Sequence, residues 1–218
     1  TIEKSKAIAS FLEKDEKQGL ANDNLINQLD IDCGINYPKE FTTEELIDTT
    51  IECEKAALDF DKRVSNSEGS QYLYSNSKNF ILNSHGARGS YYSTSYTLSC
   101  VVLAEENGLK ERDYAYDTKR NYKKINSPEV IGKKSAQKAI SRLGAKPITS
   151  RKCPIVLTPE LSVGLISSFL SAIDGNNIYK KNSFLLDKLK DLVFADHITI
   201  KEEPNLNEGL GNKPYDNE

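Results

Sequence analysis

The tripeptide Glu106-Asn107-Gly108 sits between two runs rich in Tyr, Thr, Ser and Val, at Ser90–Ala104 and Lys110–Asp117. Asn and Gly accept positive φ at low cost, so they close a tight turn whose twist suits two antiparallel strands. That turn commits the middle of the chain to an antiparallel meander. Gln71–Ser75 and Asn79–Leu82 have the same strand-like composition, and Asn76-Ser77 and Gly86–Gly89 read as further turns. The Ser and Tyr content suits a sheet with one wet face. Such a face offers a place for a ligand or partner, although an ordinary solvated sheet has the same signature.

Helices flank the meander. Thr42 and Glu45 form the pattern of a capping box, and Leu46, Thr50, Cys53, Ala57 and Phe60 recur at three and four, so a helix is expected to end near Asp61. Ser127-Pro128-Glu129 supplies a cap, a first-turn proline and an acid at the positive end of the helix dipole. Gly132, Ala136, Ala139, Ile140 and Leu143 mark its packed side, and Gly144 its C-cap. Residues 2–12 are helix-like, with Ile2, Ala7, Ile8 and Phe11 near one face. Asn22–Leu29 reads as a short helix, Asp30–Lys39 as loop, Ser183–Leu189 as a helical turn, Val193–Ile200 as strand and Glu202–Pro214 as extended chain. The expected fold class is α+β, an antiparallel meander packed against helices. Residues 1–40 form a helical and irregular lead-in, and 41–218 the α+β region.

The run from Cys153 to Leu170 reads as a short buried strand, Ile155–Leu157, entering a helix capped by Thr158 with Pro159 at its first position. Leu161, Leu165, Ile166 and Phe169 would pack that helix on the strand.

Charge separates function classes. The chain of 218 residues carries 29 basic and 32 acidic side chains, a net −3, so no global field draws it to nucleic acid or an anionic membrane. No apolar run of about 18 residues is present. Cys33, Cys53, Cys100 and Cys153 match neither a zinc knuckle nor a tight disulfide scaffold, and are expected as buried free thiols in a reducing compartment. With no secretory signal at Thr1, a cytoplasmic location is the expectation.

The chemistry-bearing residues are sparse. His85 lies in the turn beside Gly86, and His197 follows Asp196 in an expected strand, where neighbours point to opposite faces and form no relay. No pair of His residues sits one helical turn apart. Gly86-Ala87-Arg88-Gly89 offers turn amides and a guanidinium to an anion, without a phosphate-loop pattern. Ser90-Tyr91-Tyr92-Ser93 places hydroxyls near the His85 imidazole, yet nothing signals an activated serine. His85, Arg88 and Tyr92 are the candidates for contact with a peptide or partner. Lys119-Arg120 with Tyr122-Lys123-Lys124 is a modest basic and aromatic run, read as a solvated loop.

Arg112-Asp113-Tyr114 within Glu111–Asp117, Ser127-Pro128-Glu129, Arg142-Leu143-Gly144-Ala145, Pro154–Glu160 and the tail Phe194–Tyr215 together resemble the TldD/PmbA family, also called peptidase U62 or modulators of DNA gyrase. Asn22–Leu25, Thr42–Phe60 and Ser84-His85-Gly86 fit its earlier portion. Ser171-Ala172-Ile173, Tyr179-Lys180-Lys181 and Ser183-Phe184-Leu185-Leu186 resemble its PmbA (TldE) branch. The resemblance implies a fragment of a chain about twice as long, ending at Tyr215-Asp216-Asn217-Glu218, a motif that usually continues. It also implies a His-Glu-x-x-x-His metal site on the helix after Pro159. Here Gly164, Leu165 and Phe169 stand at those three positions, so no catalytic, cofactor or metal-binding residue is expected in this chain. The implied role is a subunit of a metalloprotease complex that handles unfolded peptides or small proteins, with zinc in a TldD-type catalytic partner. Neither membrane nor nucleic acid is expected as a partner. A self-sufficient peptidase using residues outside this sequence, and a regulatory protein linked to gyrase, are the rival readings.

Overall fold

The computed structural model describes residues 1–13, 15, 17, 19–22, 24, 26 and 31–215. The expected helix at Asn22–Leu29 and the terminal motif at 216–218 lie largely outside the described residues. Two compact units emerge, one of residues 1–145 with 203–218, the other of residues 146–202.

The first unit is built on an antiparallel sheet, β1 (Val64–Leu82), β2 (Arg88–Glu106) and β3 (Leu109–Lys119), with β2 in the middle. The Glu106-Asn107-Gly108 turn forms as expected, with φ of 52° at Asn107 and 77° at Gly108. The other hairpin closes at Asn83–Ala87, where the Asn83 amide donates to the Ala87 carbonyl at 3.0 Å. One sequence expectation fails here: Asn76-Ser77 is no turn. β1 runs straight through it, pairing Asn76 with Thr94 and Ser77 with Ser93. Polar residues on a wet face look like a turn in sequence, but a partner strand holds them extended.

Two helices cover one face of the sheet. α1 (Ile2–Ala9) is shorter than the expected 2–12, and Ile2, Ile8 and Phe11 stay exposed. In α2 (Thr43–Leu58), Thr42 accepts from the Glu45 amide while the Glu45 carboxylate accepts from the Thr42 amide, the full capping box. α3 (Pro128–Arg142) starts as expected, with the Ser127 hydroxyl accepting from the Val130 amide. Its packed side is Ile131, Gly132, Ser135, Ala136 and Ala139, with Ile140 and Leu143 at the margin. Gly132 lets the two helices touch. A Cβ built there would lie 2.2 Å from the Cys53 carbonyl oxygen. Leu98, Cys100, Val102 and Ala104 of β2 meet Cys53, Ala57, Ile131, Ala136 and Ala139 in the core.

The second unit holds α4 (Pro159–Ile173) and α5 (Gly175–Tyr179). Asp174 caps α5 by accepting from the Asn176 and Asn177 amides. Phe169 meets Phe194 edge to face at 5.0 Å between centroids, and the Ser183 hydroxyl donates to the Ala172 carbonyl at 2.6 Å. Four expectations are corrected here. Ile155–Leu157 is irregular, with Ile155 77% exposed, because no described strand pairs with it. Leu161 and Leu165 are exposed rather than core, leaving Ala172 as the buried residue of α4. Val193–Ile200 is no strand, whereas the helical turn expected at Ser183–Leu189 forms as turns, with the Lys188 amide donating to the Leu185 carbonyl at 3.2 Å. Cys153 is exposed, unlike the other three cysteines.

In the first unit, residues 203–215 are folded in turns instead of extended. Among the described residues no helix is long and apolar enough to cross a membrane.

Candidate functional site

Two places answer to the chemistry read in the sequence. The first is the far end of the β1–β2 hairpin. β3 pairs only with Tyr96–Glu106 of β2, whereas β1 pairs with β2 down to Arg88. The hairpin therefore continues beyond the three-stranded part as a two-stranded arm.

An aromatic cluster separates the two parts. Phe41 packs on Tyr72, Tyr74, Tyr96 and Tyr122, with centroids 5.6, 5.7, 5.9 and 6.2 Å away. Tyr74 stacks on Tyr96 at 5.3 Å, and the Lys39 ammonium sits 4.2 Å from the Phe41 centroid. Burial pushes the Tyr72 hydroxyl up to about 12, assisted by Tyr96. One row further along, buried Thr94 is held on all sides. Its amide donates to the Ile35 carbonyl at 2.9 Å, its hydroxyl donates to the Arg120 carbonyl at 2.8 Å, and its own carbonyl accepts from Arg120 Nη1 at 3.1 Å.

That arrangement corrects the reading of the basic run as a solvated loop. Arg120 also donates to the Gly209 and Leu210 carbonyls, and Lys124 pairs with Glu208 at 2.7 Å. The Lys124 ammonium, with the Tyr37 hydroxyl in support, holds the Glu208 carboxyl below its ordinary range. The run is internal glue between β2 and the tail.

Beyond Thr94 the same face of the sheet is bare. Lys78, Phe80 and Leu82 of β1 lie opposite Tyr92, Ser90 and Arg88 of β2. Phe80 and Leu82 are each 78% exposed, and Tyr92 50%. The Lys78 ammonium lies 5.2 Å from the Tyr92 ring centroid. The opposite face of the arm is partly covered by Tyr215, whose ring meets Tyr91 at 5.3 Å and whose hydroxyl donates to the Gly89 carbonyl.

Arg88 and Tyr92 thus share the bare face, while His85 stands in the closing turn with Nδ1 2.9 Å from the Ala21 carbonyl. Sequence reading missed Lys78, Phe80 and Leu82. Their alternation would have revealed them had the strand been carried through Asn76-Ser77.

The second place is α4. At Gly164 a Cβ would meet nothing within 4 Å, and Leu165 is exposed. Gly164, Leu165 and Phe169 present no nitrogen, oxygen or sulfur to a metal, so the three positions do not fit a zinc site. Among the described residues no group of three His, Cys, Asp or Glu side chains could hold a metal ion. His197 is not in a strand. Its Nδ1 lies 3.7 Å from the Asp196 carboxylate, but both side chains are open to solvent, and nothing excludes water from the pair. Cys53 and Cys100 are buried partners. The hydrogen bond to Cys100, reinforced by burial, holds the Cys53 thiol above its ordinary range, which marks it as inert.

Comparison with known proteins gives one consistent family. Residues 36–143 match the PmbA/TldA metallopeptidase central domain, and residues 150–218 the PmbA/TldA metallopeptidase C-terminal domain. "Metalloprotease PmbA" of Escherichia coli O157:H7 is 35% identical over 100% of this chain and 48% of its own length. "Metalloprotease PmbA homolog" of Haemophilus influenzae is 33% identical over 100% of this chain and 48% of its own. The chain thus spans about half the length of the curated relatives it matches. A crystal structure from Bacteroides thetaiotaomicron, described as a modulator of DNA gyrase, superposes with a TM-score of 0.90 at 28% identity, covering 99% of this chain and 50% of that one. TldE from Thermococcus kodakarensis shares the fold with a TM-score of 0.62 at 21% identity, over 86% of this chain and 42% of its own.

Proposed function

The chain belongs to the PmbA/TldD metallopeptidase family, and from that premise we propose that it is part of a subunit without a metal site of its own. Such a subunit binds peptide and a TldD-type catalytic chain, and the zinc resides in that partner. The observation that carries this reading is the donor-free set Gly164, Leu165 and Phe169 on α4. Glycine, leucine and phenylalanine can neither ligate zinc nor activate water. On the proposed role, His85, Arg88 and Tyr92 contribute to peptide or partner contact, and the complex works on unfolded peptides in the cytoplasm. Cleavage of an unstructured peptide is the test. The full-length protein alone should give none, and mixing with a TldD-type chain should restore it. Cleavage by the protein alone, sensitive to a chelator and free of contaminating protease, would overturn the reading.

One observation favours a second reading. The curated relatives are themselves called metalloproteases. A peptidase using residues beyond the matched half would accommodate that, and the same experiment separates the two.

A further inference from the structure

Among the described residues nothing pairs with the outer backbone edge of β2 at Ser90 and Tyr92, so the arm has an open edge as well as a bare face. Thr94 directs both its amide and its carbonyl away from β1, to Ile35 and Arg120. Peptide groups alternate along a strand, so Tyr92 and Ser90 direct theirs to the same side. β3 does not reach them, since its pairing with β2 stops at Tyr96. An unpaired row of donors and acceptors is the template onto which another strand adds.

The charge on the arm's own two strands is one-sided. The chain as a whole is net acidic, yet from Gly69 to Ala104 it contains no Asp or Glu. The cations of the arm are Lys78 and Arg88, and among the described residues neither has a carboxylate partner. Lys78 is turned over Tyr92, but Arg88 lies on β2 itself, directly beside the space an added strand would occupy. A residue opposite Arg88 would meet the guanidinium. The residue two positions on would meet Ser90, and the next alternate residue the exposed Tyr92 ring.

We propose that the edge of β2 at Ser90 and Tyr92 receives an extended acidic segment of a partner protein as a fourth strand, main chain to main chain. Arg88 pairs with a carboxylate of that segment and Tyr92 packs on an apolar side chain. This assigns a surface and a ligand chemistry to the peptide-binding role proposed above and rests on it. Strand addition makes the affinity largely independent of sequence, while Arg88 and Tyr92 supply the preference.

The test uses the full-length protein without a catalytic partner, so that it can fail while the cleavage test succeeds. The probe is a fluorescent, end-blocked Leu-Thr-Val-Thr-Glu-Thr peptide, followed by anisotropy, with a control carrying Lys in place of Glu. The Glu peptide should bind about fivefold to tenfold more tightly, because like charges would face each other in the control. Arg88→Glu should reverse that preference. Ser90→Pro removes an outward amide on an edge, where proline is tolerated, and should weaken both peptides about tenfold. Circular dichroism establishes that each variant is folded. Equal binding of the two peptides, or binding indifferent to both substitutions, would overturn the proposal. So would absence of binding with slow hydrogen exchange at Ser90 and Tyr92, the sign of an edge filled by the protein itself or a second copy.

Discussion

Two stretches of one sheet face, a few residues apart, have opposite fates. From Thr94 to Ala104, every second residue of β2 is buried, under α2 and α3 or behind the Phe41 cluster. From Arg88 to Tyr92, the same alternation continues and every second residue is exposed. The pleat is common to both, so the difference lies in what covers it. Small residues on α3, Ala136 and Ala139, let it lie close on the covered part, and Gly132 lets α2 pack beside it. The arm instead keeps Phe80, Leu82 and Tyr92 in solvent beside two cations. Apolar side chains left along an uncovered strand add little to the stability of this unit, which is why the arm is proposed as a binding surface.

The largest expected effect tests that contrast directly. Leu98→Ala should cost about 3 kcal/mol in urea unfolding, because it leaves a cavity in the core. Leu82→Ala, on the arm, should change stability by less than about 0.5 kcal/mol. Equal losses would show that the arm is packed in solution and break the comparison. Gly132→Ala comes next. The added methyl would press on the Cys53 carbonyl, so α2 and α3 must move apart, at about 2 kcal/mol. Thr42→Ala should cost about 1 kcal/mol by removing the capping box of α2.

The smallest effect concerns acid. Asp61 accepts from the Arg63 side chain and amide at the entrance to β1, and these bonds hold its carboxyl down to about 2. A carboxyl depressed by folding stabilises the fold above its unfolded range, and that contribution is lost as the pH falls toward 2. Asp61→Asn should therefore lower the urea midpoint at pH 7, and the gap to the parent protein should close at pH 2. A gap that persists at pH 2 would assign the effect to packing rather than charge.

Much of this unit was legible because local chemistry and final contacts agree. Glu106-Asn107-Gly108, Thr42 with Glu45, and Ser127-Pro128 each carry their own partner nearby in sequence, and each forms as read. The misreadings share a cause. Asn76-Ser77 is strand only because Thr94 and Ser93 lie across from it, and Ile155–Leu157 is not strand because nothing described pairs with it. Pairing is non-local, and the residues alone do not announce it. Arg120 and Lys124 looked solvated because Gly209, Leu210 and Glu208, their partners, lie far along the chain. The candidate contact residues fared similarly. Arg88 and Tyr92 were visible as residue types, but the strip they complete with Lys78, Phe80 and Leu82 depends on β1 being unbroken. The α4 positions needed no structure at all, since Gly164, Leu165 and Phe169 lack donor atoms in any conformation.

That last point makes metal content the most direct measurement. Zinc in the purified full-length protein, separated from any partner and passed through gel filtration, should fall far below one ion per chain. One tightly held zinc per chain would contradict the proposal that this protein is the subunit without a metal site.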